Sequence, residues 1–240
     1  MMKNIPILMY HNIGEPPEGA RLRGLYVRTG AFGWQMWLLK LLGYKGLSMS
    51  EAMPYLCGEK SGKVVAITFD DGYLDTLEQA LPILNTFGFH ATCYFVSGRG
   101  GQYNDWDAAT LKVEKKLMTD AQIKSWHAAG MEVGAHSRTH PRLSKCTDEE
   151  LQTELAGSKA DLEALTGAPV TQFCYPYGDL DERVANAARS AGYSAATTVN
   201  RGRAKPGDDL MLLRRVLISG SNMLYLFMLK LLTKYEDKRG

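Results

Sequence analysis

Short apolar runs that read as β-strands alternate along this 240-residue chain with segments of helical periodicity, and that alternation restricts it to a parallel α/β arrangement. The strand-like runs are Ile5 to Tyr10, Tyr44 to Leu47, Val64 to Phe69, Ala91 to Val96, Met131 to Ala135, Thr171 to Cys174 and Leu212 to Ser219. Between them Phe32, Met36, Leu39 and Leu42, and later Leu77, Leu81 and Leu84, recur at the spacing of one helix face. Further helices are predicted from Glu51 and over Asp120 to Ala129, Asp148 to Leu165 and Asp181 to Ala191, the last three each opening on an aspartate suited to cap it. Ser97 to Met118 shows no regular pattern, and so long a connection in a compact domain is often functional. With 45% hydrophobic residues and no repeat or low-complexity tract, one domain over 1–240 is expected.

The ends of the strand-like runs carry the chemistry. The run Val64 to Phe69 stops in Asp70-Asp71-Gly72. Neighbouring residues on a regular strand face opposite ways, so both carboxylates reach one site only where the strand breaks, which Gly72 permits. Two anions so close repel, and a cation or strong donors must offset them. Asp71 also suits the N-cap of a helix starting near Leu74, a reading that leaves Asp70 unexplained. A second polar ending, His136-Ser137-Arg138-Thr139-His140, follows Met131 to Ala135. Imidazoles four residues apart share one side of a helical turn, so this loop, if it coils before Pro141, grips one ion; exposed loop histidines are the alternative. Two histidines, one aspartate and a position left for water make the ligand set of a catalytic zinc site, and Co2+, Ni2+ or Fe2+ suits the same donors.

A third junction, Thr171 to Gly178, brings Tyr175-Pro176-Tyr177-Gly178 after an apolar run. Together Thr68-Phe69-Asp70-Asp71-Gly72, His136-Ser137-Arg138-Thr139-His140 and Tyr175-Pro176-Tyr177-Gly178 resemble, in order and spacing, the first three motifs of the polysaccharide deacetylases, the NodB-homology or carbohydrate esterase family 4 enzymes. The resemblance covers roughly Ile5 to Ile218 and implies a distorted (β/α) barrel of about seven parallel strands that removes an acyl group, usually acetyl, from an amino sugar. It further implies Asp71, His136 and His140 as ligands of a divalent metal, Asp70 as general base, and the backbone N–H of Tyr177 as an oxyanion donor. That agrees with the general chemistry of metal-activated water beside a carboxylate.

Two departures from the family pattern stand out. The histidine usual near the last strand is missing from Leu212 to Ser219, whereas Ile5 to Tyr10 ends in His11, like the Met-Tyr-His start of the PgaB/IcaB-like subgroup; His11 is therefore expected to be the general acid. Cys174 stands where many members carry an arginine that orients the base. Arg215 or Arg138 could supply that charge, or either could be a solvated surface residue, and Asp208-Asp209 could orient a histidine or form a plain polar loop. Trp106, Tyr175 and Arg215 are expected on the substrate side. Trp106 lies with Tyr103 and Asp107 in the long connection, where it stacks on a sugar or forms a small core of its own.

The expected partner is an amino-sugar glycan or a lipid-linked saccharide, with N-formyl in place of N-acetyl, or a non-catalytic glycan-binding barrel, as alternatives. Formal net charge is +2, from scattered basic and acidic residues, and gives no reason to expect nucleic acid. Cys57, Cys93, Cys146 and Cys174 lack Cys-x-x-Cys spacing and read as buried free thiols. Met223 to Leu232, the most apolar stretch, is expected to be a closing helix, part of a dimer contact or, with Lys230 and Lys234, a helix lying on a membrane surface. No run reaches the roughly 18 apolar residues of a membrane span. Pro6 and His11 interrupt any signal-like run after Met1-Met2-Lys3, which makes cytoplasmic residence the expectation.

Overall fold

Strand residues that alternate between two apolar environments build a closed barrel. The computed structural model describes residues 4–220 and 224–239. Its strands are β1 (Ile7–Tyr10), the short β2 (Asn12–Ile13) and β3 (Tyr26–Val27), β4 (Lys45–Leu47), β5 (Val64–Phe69), β6 (Thr92–Phe95), β7 (Glu132–Ala135), β8 (Gln172–Cys174), β9 (Ala195–Arg201) and β10 (Leu213–Leu217). Its helices are α1 (Thr29–Leu41), α2 (Met49–Leu56), α3 (Leu81–Phe87), α4 (Asp105–Leu111), α5 (Asp120–Ala128), α6 (Asp148–Thr166), α7 (Glu182–Ser190) and α8 (Leu224–Leu232). Seven parallel strands close in the order β1-β10-β9-β8-β7-β6-β5, with β5 returning to β1 through Tyr10 opposite Phe69. β4 pairs with the first half of β5, on the side whose second half belongs to β6, and so fills the wall at the N-terminal end.

One alternating set, including Ile7, Val64, Ala66, Tyr94, Ala195 and Leu213, packs inside the barrel, where Met49, Ala52 and Leu56 of α2 join it. The other, including Leu8, Val65, Ile67, Phe69, Phe173 and Val216, packs under the surrounding helices. Burial on both faces is why these strands read as continuous apolar runs. Inside, Tyr94 needs Gly134 opposite it, since a Cβ there would sit 2.5 Å from the ring.

Several local expectations are corrected. Thr119 and Thr147, not the aspartates that follow them, cap α5 and α6, each in a reciprocal capping box; Asp181 alone of the three aspartates caps its helix. The threonine's side chain reaches the third helical N–H, which an aspartate already inside the first turn cannot do. The long connection from Ser97 contains a helix, α4, whose single turn pair is too short for periodicity to register. In α8, Phe227 packs on Trp34 while Lys230 turns inward, its Nζ donating to the Leu217 carbonyl at 2.5 Å. Lys230 therefore does not face outward beside Lys234, and Met223 lies outside the described residues. Cys93 and Cys174 are buried, Cys57 is exposed, and all four thiols are free. Among the described residues no helix is long and apolar enough to cross a membrane.

Candidate active site

Inward alternation places Asp70 and His136 just past the C-terminal ends of β5 and β7 and Arg215 within β10, all at one end of the barrel. Val64, Ala66 and Thr68 precede Asp70 in this series, Gly134 precedes His136, and Leu213 precedes Arg215. After Phe69 the chain reverses through two consecutive left-handed residues, Asp71 (φ 73°) and Gly72 (φ 74°), which returns the second carboxylate to the side of the first. A Cβ on Gly72 would stand 2.6 Å from the Phe95 ring, so close approach and backbone conformation both demand glycine. Asp71 is not a helix cap. Its Oδ1 lies 3.4 Å from Nε2 of both His136 and His140.

The two histidines do not share a helical turn. Residues 136–140 are irregular, Ser137 and His140 both have φ 64°, and the imidazoles meet because the loop folds back, with Nε2 atoms 3.3 Å apart. The His-x3-His spacing fits either geometry, so the sequence could not distinguish them. Asp71, Ser137, His140 and Tyr177 are four of the six non-glycine residues with positive φ among the described residues, which concentrates backbone strain in this cavity.

His136 Nδ1 sits 2.7 Å from the Cys174 carbonyl oxygen and donates to it, leaving the Nε2 lone pair turned towards Asp71 and His140. The His140 ring stacks on Trp106, with centroids 4.7 Å apart and planes at 25°, and meets Tyr177 edge-on at 4.5 Å. Burial pushes the Asp71 carboxyl up, but the two imidazoles outweigh it and hold the group well below the usual carboxylate range. Burial and the neighbouring His136 lower His140. The donor triangle suits a cation: ligand atoms about 2.0–2.1 Å from one tetrahedral ion stand roughly 3.3 Å from one another, and the sides here are 3.3, 3.4 and 3.4 Å.

Beside it, Asp70 is locked to Arg215. The guanidinium donates Nη1 to Oδ1 and Nη2 to Oδ2, each at 2.7 Å, and Nε to the Thr198 carbonyl at 2.8 Å. Nη1 also donates to Thr68 Oγ1, and Nη2 lies 3.2 Å from Cys174 Sγ. Burial raises the Asp70 carboxyl, but Arg215 leads the groups that bring it below the ordinary value. Arg215 is fully buried, which corrects its expected place among substrate contacts; the charge beside the base comes from β10, and the thiol of Cys174 lies against it. Arg138 points elsewhere, onto Asp161, and Asp209 pairs with Arg189 while capping Met211, so neither takes part.

His11 stands at the rim with Nε2 3.8 Å from Asp70 Oδ2 and a buried Nδ1 that has no hydrogen-bond partner among the described residues. Tyr177 has φ 59°, and the turn it occupies uses the N–H groups of Gly178 and Asp179, while among the described residues no acceptor faces its own N–H. Tyr175 is almost wholly buried and borders the cavity from below. Trp106 lies against the His140 ring, and the neighbouring Asp107 borders the cavity, where burial and then the Asp107 charge raise the Tyr177 hydroxyl above the usual phenol range. The cavity holds about 270 Å³, and Leu22, Leu25 and Val199 add an apolar rim that sequence reasoning missed because no periodicity marks it.

The family model for polysaccharide deacetylase matches residues 58–196. The chain belongs to the polysaccharide deacetylase family. It is 32% identical over 217 residues to YxkH of Bacillus subtilis, covering 90% of this chain and 71% of that one. A peptidoglycan-N-acetylglucosamine deacetylase of Bacillus cereus shares 30% over 132 residues, 55% of this chain and 54% of the relative. Among solved structures, the Streptococcus pyogenes deacetylase PplD in complex with acetate superposes with a TM-score of 0.83 at 27% identity, covering 96% and 99% of the two chains. IcaB from Ammonifex degensii superposes with a TM-score of 0.75 at 26% identity, over 90% and 91%.

Proposed function

We propose that this chain is a divalent-metal-dependent N-deacetylase of an amino sugar in a glycan or glycan precursor. The observation that carries this reading is the near-equilateral donor triangle of Asp71, His136 and His140 with the Asp70 carboxylate alongside. Zinc suits the nitrogen and carboxylate donors best, and when bound such an ion polarises the acyl oxygen and makes water acidic. Asp70, kept ionised by Arg215, accepts a proton from the water that attacks the amide carbon. The Tyr177 N–H donates to the oxygen that gains charge as the carbon becomes tetrahedral. His11 hands a proton to the departing sugar nitrogen as the C–N bond breaks, so that acetate and a free amine leave. The relatives named for peptidoglycan-N-acetylglucosamine deacetylation support an N-acetylated amino sugar as substrate.

Purified protein is expected to hold one divalent ion and to release amine from N-acetylglucosamine oligomers, to lose that activity on dialysis against a chelator, and to regain it with Zn2+ or Co2+. Binding to the native state alone also raises the melting temperature. Full amine release by rigorously metal-free protein would sink the proposal. The same assay with N-formyl conjugates distinguishes the acyl group.

His11→Ala is expected to lower amide turnover by about 10²–10³-fold. Hydrolysis of p-nitrophenyl acetate, whose leaving group needs no proton, should fall far less. Equal losses on both substrates would remove His11 from the role of acid.

A further inference from the structure

The loop between the two histidines belongs to no regular element itself, so its N–H groups must be satisfied from elsewhere. Those of Arg138 and Thr139 both donate to Glu154 Oε2, at 2.8 and 2.9 Å, and the Thr139 hydroxyl donates to Oε1 at 2.6 Å. The carboxylate that accepts all three is buried and projects from the middle of α6. One turn on, a Cβ at Gly157 would lie 2.7 Å from Arg138 Cδ, so glycine there lets the arginine cross the helix and reach Asp161 at 2.8 Å. Glu154, Gly157 and Asp161 thus form one stripe of α6 beneath the loop. The N–H groups of Ser97 and Gly98 donate to the carbonyls of Ser137 and Arg138, and the Ser97 hydroxyl donates to Asp161 on the same stripe. The His140 N–H closes the loop on Ser137 Oγ at 3.0 Å.

We infer that Glu154 is a positioning residue for metal binding: by gathering the N–H groups of residues 138 and 139 it fixes the fold-back that sets His140 Nε2 beside His136 and Asp71. This rests on the metal-site reading above. Its carboxylate touches none of the three proposed ligands, so its effect runs through the loop, and reach matters more than charge. Glu154→Gln keeps an amide oxygen where both N–H groups need an acceptor. Glu154→Asp keeps the charge but withdraws the acceptor by one methylene, and Glu154→Ala removes it.

The test is Zn2+ affinity by competition with a chromophoric chelator, with far-UV circular dichroism and thermal melting on the same metal-free proteins. Loss of a group bonded directly to a metal ligand commonly weakens binding about 10–100-fold; acting one step further out, Glu154→Ala and Glu154→Asp are expected to weaken it about tenfold, with Glu154→Gln within about threefold of wild type. If Glu154→Ala does not fold, the contrast between Asp and Gln decides. Wild-type affinity in a folded Ala or Asp variant, or equal loss in Asp and Gln, overturns the inference. Failure of the wild type itself to hold Zn2+ would instead overturn the metal-site reading.

Discussion

Arg215→Met should cost roughly 3–5 kcal/mol of stability, the usual penalty for leaving one member of a buried ion pair without its partner. For a domain of this size that is a fall in Tm of about 6–20 °C. The reason is specific: Asp70 is almost wholly buried, both of its oxygens rest on the guanidinium, and among the described residues no other arginine or lysine pairs with it, His11 standing 3.8 Å away. The loss should also depend on pH. In the wild type the Asp70 carboxyl is held below its ordinary value, so the pair stabilises the fold above the unfolded carboxylate pKa and that contribution disappears as pH falls through the folded one. Without Arg215, burial raises the carboxyl instead, so the gap between wild type and variant is widest near neutrality and narrows in acid. The acid limb of the pH–rate profile should move to higher pH by the same cause. Arg215→Lys should fall between the two, because one ammonium cannot span both Asp70 oxygens and the Thr198 carbonyl. An unchanged Tm and acid limb in Arg215→Met would show that the pair bears no weight.

Asp70→Asn is expected to lower kcat by about 10²–10⁴-fold, the range associated with a lost general base. KM and metal affinity should stay near wild type, since Asp70 does not belong to the Asp71, His136 and His140 triangle. Asparagine matches aspartate in shape but leaves Arg215 buried beside a neutral group, so this variant should also melt earlier. Combining Asp70→Asn with Arg215→Met removes both charges, and the double variant should lose less stability than the two single changes added together. Retention of more than a tenth of wild-type kcat by Asp70→Asn would exclude Asp70 as the base. A strictly additive double variant would deny that the two side chains act as a pair.

The legible parts of this chain were those in which cause and effect lie close together in sequence. Val64 to Phe69 read as a strand buried on both faces, and β5 is one; Asp70-Asp71-Gly72 read as a break that turns two carboxylates to one side, and the left-handed pair at 71 and 72 makes that break. The histidine loop was legible as a pair but not in its conformation, because two left-handed residues and a helical turn place imidazoles four residues apart equally near. Cap identity at α5 and α6 slipped by one residue, since threonine and aspartate are both good caps and only the backbone angles choose between them.

By itself, the order of residues determined the alternation of strand and helix, the parallel α/β arrangement that follows from it, and the local chemistry delivered at each strand end, while the barrel was implied by the resemblance of its motifs to a family. Tertiary structure alone decided which of those ends meet. Arg215 reaches Asp70 across 145 residues, Trp106 lies on His140 from a connection with no periodic pattern, and Glu154 accepts from the Arg138 N–H across 16 residues. Each is a contact between groups whose separation along the chain carries no record of their distance. That distance is set only when β10 closes against β1 and the helices pack around the ring.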